Sequence, residues 1–497
     1  MSIKTIYMGL ALLVSPFFIQ AQTDLQPCGT GLPSKANMDY LRNLDYTLSS
    51  PEDTISINIP VTIHIIRSSN GGGGFNETQA YLTICDLNTR MASAGMFFYV
   101  PQAINFINDD DYYNAPNYAP LFNMISSNNV PRTVNIYYTN LSQMGLCGFA
   151  FYPNSGIGGF QNDGAVVMGF ACSQPTGTTL THEIGHFFNL PHTFDFTSSN
   201  PLDPQAELVT RNFNEIAPRL SANCNLEGDG FCDTPADFIG NRWSCPSGRV
   251  QLDLNGDRFR PDSSFYMSYS SDICMSRFSA QQITAMRTTL VDTNASRGYL
   301  RINPMPNYPL ISNAPLQLQP ANGDTVIPNQ AVFSWQRIPG ASLYQIKIYL
   351  FNFAVVDTFT ADTFYVNRTR DIRPNRTHSW EVRAITGAQL CTPFGGRINF
   401  ESSNLALNTS QIVSKQALRV YPTKLDQNAV LYIDQLHIGM PLLLQLRDLQ
   451  GRVLQEATLL VEEEKLSWPM PLLPAGLYLL QLEQAGNRSF HKLVLTD

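Results

Sequence analysis

Charge is what this sequence has least of. Asp, Glu, Lys and Arg make up 14% of its 497 residues, and no basic tract breaks a formal net charge of −8. That balance argues against nucleic acid as a partner, because phosphates demand clustered Lys and Arg. Long apolar runs are also missing. Past the first 21 residues nothing approaches the roughly 20 apolar residues a membrane-crossing helix needs, so no transmembrane segment is expected. Histidine is scarcer still: seven in all, three of them between positions 182 and 192. Cysteine is not scarce. Eight of nine precede residue 275, and Cys391 stands alone in the later half. In an exported chain such cysteines lean towards disulfides, and an odd number leaves at least one thiol unpaired. A hydrophobic content of 43%, with 32 Gly and 32 Pro, describes a folded chain with much loop and β structure. The length suggests about three domains.

The N-terminus reads as an export signal over residues 1–21: Lys4, then the apolar Ile6 to Ile19, then Ala21 before Gln22. The apolar run is too short to span a bilayer, and Pro16 interrupts it. Residues 22–54 are polar, rich in turn formers, and contain Cys28. From Ile55 to Ile66 the chain alternates and is β-branched, which predicts a first strand; His64 within it reads as a core histidine. Gly71 to Gly74 form a flexible connection. Thr78 to Ala94 has helical spacing, and strands are expected near Phe97–Val100, Ala103–Ile107 and Val134–Tyr138.

The chain is organised around Thr181 to His192. His182 and His186 are four residues apart, so on a helix their imidazoles share a face and reach one ion. Leu180, Ile184, Phe187 and Phe188 bury the opposite face. Glu183 is placed to take a proton from a metal-activated water. Asn189, which tolerates the left-handed conformation, and Pro191 stop the helix so that His192 can turn back as a third ligand. Three protein ligands and an open position make the catalytic form of a zinc site; structural sites close all four.

These residues resemble the metzincin metallopeptidases, whose pattern is HExxHxxGxxH, and in detail the pappalysin family, with HEIGH followed by L.HTF. The chain departs from the family at Asn189, where Gly is usual. The resemblance implies an α+β metzincin-like catalytic domain over residues 55–298, a twisted mixed sheet over the active-site helix; the strand patterns further along the chain predict two all-β sandwich domains after it. It implies a zinc endopeptidase acting on proteins or peptides. It also implies that Gly164–Gly169 is the edge strand above the cleft, to which substrate adds main chain to main chain. Relatives carry a short prosegment whose Cys holds the metal and keeps the enzyme latent. Cys28 fits that role; the alternative is a disulfide, with Cys85 the candidate partner. Cys147 and Cys172 flank the edge region as a candidate pair, and Cys224–Cys232 and Cys245–Cys274 are two further expected pairs.

Downstream, Asp229, Asp233 and Thr234 lie in a segment resembling the family's GDxxxDTP. Closely spaced carboxylates among glycines suit calcium. Asp253, Asn255 and Asp257 have the alternating oxygens of a second calcium loop, without its completing Glu. Plain Asp/Asn turns are the alternative for both. Met267, between aromatics, matches the Met-turn beneath the metal ligands. Tyr269, two residues on, stands where relatives place a phenol that steadies the oxyanion. Asp272, five after the Met, stands where pappalysin-like enzymes of basic specificity place the acid of the S1′ pocket, which would select Arg or Lys; the alternative is a solvated loop carboxylate. Ser279 to Thr293 is the expected closing helix.

Residues 299–312 read as a linker. Residues 313–402 alternate in short strands and resemble a fibronectin type III sandwich with Trp335 and Trp380 in its core. Residues 413–497 resemble the C-terminal sorting domain of type IX secretion cargo in the Bacteroidota, which implies the type IX machinery as a partner, passage across the outer membrane, and a secreted or cell-surface protein. A rival reading, an inactive metzincin shell serving as adhesin or surface binding protein, would be signalled by loss of Glu183, which is present. A structural-zinc scaffold would need a fourth protein ligand, for which Cys28 is the candidate.

Overall fold

The computed structural model describes residues 25–46, 56–154, 164–215, 219–246, 250–291, 297–403, 418–426, 430–448, 452–484 and 487–496. The expected signal peptide lies outside the described residues. In chain order the first unit contains α1 (Lys35–Arg42), β1 (Ile57–Arg67), α2 (Glu77–Met91), β2 (Met96–Tyr99), β3 (Asn105–Asn108), α3 (Asp110–Tyr113) and α4 (Tyr118–Asn128). It continues with β4 (Val134–Thr139), β5 (Gly148–Ala150), β6 (Ala165–Gly169), α5 (Thr179–Phe187), β7 (Gln251–Leu252), β8 (Arg258–Phe259) and α6 (Ala280–Val291).

The β-branched run predicted as a first strand is β1, and its burial on both faces marks it as central. The sheet runs β2-β1-β4-β6-β5, with β3 beside the second half of β1. All its pairings are parallel except β5 against β6. Gly164–Gly169 is therefore not the edge. It is β6, with all five strand residues buried, because Ala-Val-Val-Met-Gly is the continuous apolar run of an interior parallel strand. The edge is β5, three small and aromatic residues that end the sheet as its single antiparallel strand.

Both sheet faces are covered. Ile59, Val61, Ile63 and Ile65 pack with Ile84 and Leu87 of α2, Ile184 and Phe187 of α5, and Met267. On the other face Ile66, Tyr137 and Val167 pack with Leu121, Met124 and Ile125 of α4. Met38 and Leu41 of α1 belong to the first of these cores, so the segment before β1 is folded onto the sheet unit. His64 is a core histidine, as read. Its Nε2 lies 3.0 Å from Asn135 Oδ1 and its ring stacks on Tyr137 at 4.1 Å. Burial lowers its pKa to about 4, so it stays neutral. The closing helix is α6, entered through a capping box: Ser279 Oγ accepts Gln282 N, and Gln282 Oε1 accepts Ser279 N.

Two β-sandwiches follow. The first comprises β9 (Gln317–Gln319), β10 (Thr325–Val326), β11 (Val332–Trp335), β12 (Leu343–Leu350), β13 (Phe353–Thr360), β14 (Phe364–Val366), β15 (Thr377–Ile385) and β16 (Ile398–Ser402). Its sheets run β10-β16-β15-β12-β13 and β14-β11-β9, and Trp335 and Trp380 meet between them with ring centroids 6.3 Å apart. The second comprises β17 (Arg419–Tyr421), β18 (Lys424–Leu425), β19 (Val430–Asp434), β20 (Pro441–Arg447), β21 (Val453–Leu460), β22 (Lys465–Pro469), β23 (Gly476–Gln484) and β24 (Asn487–Leu495). Its sheets run β17-β19-β22 and β18-β24-β23-β20-β21, around Leu444, Leu446, Leu480, Leu482 and Trp468.

The first sandwich is fastened to the sheet unit. Cys391 is disulfide-bonded to Cys85 of α2, which removes Cys85 as a partner for Cys28. Beside that bond Thr78 Oγ1 donates to Asp357 Oδ1 at 2.9 Å, Gln345 Nε2 donates to Thr78 Oγ1 at 3.1 Å, and Val100 N donates to Gly387 O at 2.8 Å.

Candidate metal centre

Helix α5 is buried along its whole length. Its N-cap, Thr178, does not cap it in the usual way: the hydroxyl donates instead to Asp272 Oδ1 at 2.9 Å. Gly185 sits mid-helix despite costing about 1 kcal/mol there relative to Ala, because a Cβ at that position would collide with Met267 Sδ. The Met-turn residue therefore touches helix backbone directly. At the other end Leu190 N donates to Gly185 O at 2.9 Å, and Asn189 takes a φ of 75°, supplying the left-handed stop expected where relatives have Gly. Arg297, fully buried, donates from Nε to the Phe187 carbonyl at 3.0 Å and holds this end of the helix.

The stop brings His192 back onto the helix. His186 Nε2 lies 3.1 Å from His182 Nε2 and 3.0 Å from His192 Nε2. Three nitrogens on a tetrahedral zinc would stand about 3.3 Å apart at the usual bond length. Each opposite ring nitrogen has its own acceptor: His182 Nδ1 on Tyr266 O at 2.6 Å, His186 Nδ1 on Leu190 O at 2.7 Å, and His192 Nδ1 on the buried Asp195 carboxylate at 3.1 Å. With the protons on Nδ1, three Nε2 lone pairs face one point, an arrangement that repels itself unless a cation sits there. Burial first, then the charge of the neighbouring imidazoles, pushes His182 down to about 3 and His186 well below its usual value, so both stay neutral ligands.

Cys28 completes the cluster. Its Sγ and the three imidazoles have ligand atoms all within 4.8 Å of one another, the one such His/Cys/Asp/Glu group among the described residues. Cys28 is a free, buried thiol, and burial, then the Glu183 charge, raises its pKa well above the usual value. A bound metal would reverse that preference and hold the thiolate. The donor set, imidazoles plus one thiol, suits zinc.

Residues 26–30 reach the centre by adding to the exposed edge of the sheet. Gln26 pairs in parallel with Leu146, Cys147 N donates to Gln26 O at 3.0 Å, and Gly29 N donates to Gly148 O at 2.7 Å. The segment next occupies Glu183. Thr30 Oγ1 accepts Ala150 N at 2.8 Å and lies 3.1 Å from Glu183 Oε2. Cys28 Sγ lies 3.5 Å from the same carboxylate oxygen, while Glu183 Oε1 has no partner. Burial raises the Glu183 pKa to about 8 against those two hydrogen bonds. Gly148 leaves room for this side chain: a Cβ there would lie 3.2 Å from Glu183 Cγ.

Tyr269 packs its ring edge-on to His192 with centroids 4.9 Å apart, and its hydroxyl donates to Cys28 O at 3.3 Å. Asp272 is half-exposed rather than buried, and faces Thr178 and Arg242. Disulfides join Cys147 to Cys172, Cys224 to Cys232, and Cys245 to Cys274.

The acidic loops divide. Asp229 is buried and accepts Phe231 N at 3.0 Å and Thr234 Oγ1 at 3.0 Å. Beside it lies Glu207, buried, with Oε2 unpartnered and Oε1 2.9 Å from Arg211. Burial, then the Asp229 charge, raises Glu207 well above the carboxylate range, and burial raises Asp229 to about 8. Asp233 does not join them; its carboxylate accepts Gln281 N in the first turn of α6. The second expected calcium loop has the hydrogen bonds of its alternative reading. Asp253 Oδ1 accepts Asn255 N and Asp257 N, its Oδ2 accepts Val209 N, and Asp257 is bound by Arg219. These are the contacts of an Asx turn, with Arg219 on Asp257.

The family match and the sequence relatives point the same way. Residues 126–291 match the family described as Pregnancy-associated plasma protein-A. An extracellular metalloprotease of Arthroderma gypseum is 27% identical over 277 residues, 52% of this chain and 82% of that protein. Another, from Verticillium alfalfae, is 26% identical over 290 residues, 54% of this chain and 91% of that one. Among solved structures, mature mirolysin of Tannerella forsythia in complex with a cleaved peptide is 21% identical and is matched over all of its length and 52% of this chain, at a TM-score of 0.37. The family match falls on α5 and the Met-turn, the residues that build the three-histidine centre, and the chain is a zinc metalloendopeptidase, a hydrolase of peptide bonds.

Proposed function

We propose that the chain is an exported endopeptidase, held latent by residues 26–30, that cuts proteins before Arg or Lys. One observation carries the latency: the Cys28 thiol lies among the three imidazoles while Thr30 and Cys28 together cover Glu183. Zinc held by His182, His186 and His192 supplies Lewis acidity and an activated water. Glu183, once uncovered, takes the water's proton and returns it to the leaving amine. The Tyr269 hydroxyl, which now donates to the Cys28 carbonyl, donates to the oxyanion when a substrate carbonyl takes that place. Asp272 receives the basic side chain just after the scissile bond. Incubation of the activated enzyme with a mixed peptide library is the test. Products that begin with Arg or Lys, lost on zinc chelation, are the expected outcome; cleavage without basic preference would remove Asp272 from its role.

Calcium belongs to the same proposal, at Glu207, Asp229 and Thr234. Two buried carboxylates side by side, one with an orphan oxygen, favour a divalent cation with oxygen ligands. A calcium chelator should lower the melting temperature by several degrees, calcium should restore it, and Glu207→Gln should abolish the response; an unchanged melt would dismiss the site. Residues 413–497 are proposed to direct export by the type IX route across the outer membrane, to the cell surface or medium.

A further inference from the structure

Asp272 does not wait empty for its substrate. Arg242 Nη2 stands 3.6 Å from Asp272 Oδ1, the one ion pair this carboxylate makes among the described residues. The backbone that carries Arg242 is laced to the turn that carries Asp272. Trp243 bridges Ser270 in parallel, Trp243 N donates to Tyr269 O at 3.1 Å, Ser271 Oγ donates to Trp243 O at 3.2 Å, and Cys245 is bonded to Cys274. The guanidinium is thus tethered beside the acid at a fixed reach. The contact itself is loose. It is longer than the 2.9 Å bond from Thr178 to the same oxygen, and the two side chains are 45% and 35% exposed. The other carboxylate oxygen looks onto Gly177, where a Cβ would lie 3.5 Å away, so position 177 puts no side chain across that approach.

We propose that Arg242 is an internal competitor at the acidic subsite: its guanidinium neutralises Asp272 in the free enzyme and swings aside when a basic substrate side chain enters. A substrate Arg that engages both oxygens outcompetes a single-point contact, whereas a neutral side chain does not. Arg242 thereby sets how strongly basic substrates are favoured. The inference rests on the reading of Asp272 as the selector, and the experiment separates the two.

Full-length chain, folded and then activated, would be assayed on peptides with Arg, Lys or Leu after the scissile bond, as wild type, Arg242→Gln, Asp272→Asn and the double variant. Exposed ion pairs shift equilibria by a few-fold. Arg242→Gln is therefore expected to raise kcat/KM for the Arg and Lys peptides about threefold to fivefold over that for the Leu peptide, through a lower KM, with an unchanged melting temperature as control for the fold. In the Asp272→Asn background the same change should do nothing. An Arg242→Gln enzyme with unchanged or weaker basic preference, while Asp272→Asn abolishes that preference, overturns the competitor and leaves the selector standing. A basic preference that survives Asp272→Asn overturns both.

Discussion

Replacing Glu183 by Ala is expected to lower kcat/KM for peptide cleavage by about 10²–10⁴-fold, the range of a lost general base, with one zinc still bound per chain. The two halves of that expectation come from different atoms. Zinc would be held by Nε2 of His182, His186 and His192, whose Nδ1 partners are Tyr266 O, Leu190 O and Asp195; none of these contacts involves Glu183. Proton transfer does involve it. Glu183 is fully buried, its Oε1 has no partner, and its Oε2 is covered by Thr30 and Cys28. A carboxylate with a free oxygen beside the three histidines is positioned to handle a proton. Glu183→Gln keeps the shape and removes only the basicity, so it should match the Ala variant in rate. Zinc content by atomic absorption, read beside a fluorogenic peptide assay, decides. Zinc loss would make Glu183 structural, and retained activity would place the proton carrier elsewhere.

How legible this was in the sequence depends on how local each feature is. The zinc helix, its stop at Asn189 and the return of His192 are set within eleven residues (182–192), so spacing alone located them. Met267 is remote in sequence, yet a Gly mid-helix at position 185 is its counterpart, since only a missing Cβ admits the sulfur. The edge strand was misplaced because a run of apolar residues identifies an interior strand, and β5 is too short and small to announce itself. Asp195, Thr30, Glu207 and Arg242 were missed for one reason: each acts through a contact that the chain makes only after folding, and single polar residues in loops carry no periodic signal. Asp195, three residues after a metal-ligating His, was the most findable of them, since imidazole ligands usually donate their second N–H to a carboxylate or carbonyl. Cys391 shows the limit from the other side. Its partner Cys85 lies 306 residues away, across what the sequence divides into separate domains, and no spacing rule spans that.

Replacing Cys28 by Ala in the full chain is expected to give measurable peptide cleavage without any cut in the prosegment, about tenfold to a hundredfold over the wild-type full chain and below the cleaved enzyme. The thiol is the candidate fourth protein ligand of the metal, and without it water can take that position. Activation should be partial because the rest of the segment stays. Gln26 and Gly29 keep their main-chain bonds to the sheet edge, and Thr30 keeps its hydroxyl on Glu183. Each such bond is worth about 1 kcal/mol net, enough together to compete with a peptide for the same edge. Adding Thr30→Val, which frees Glu183 while leaving the backbone pairing, should raise the rate again. The same experiment tests the structural-zinc alternative, in which Cys28 never leaves. If Cys28→Ala binds zinc and cleaves nothing, and the prosegment-cut chain also cleaves nothing, the four ligands form a closed site and the latency proposal is wrong. If cleavage appears on loss of one sulfur atom, the fourth ligand is a stopper. The segment that carries it, paired at Gln26 and Gly29 with the sheet edge, is then its delivery arm.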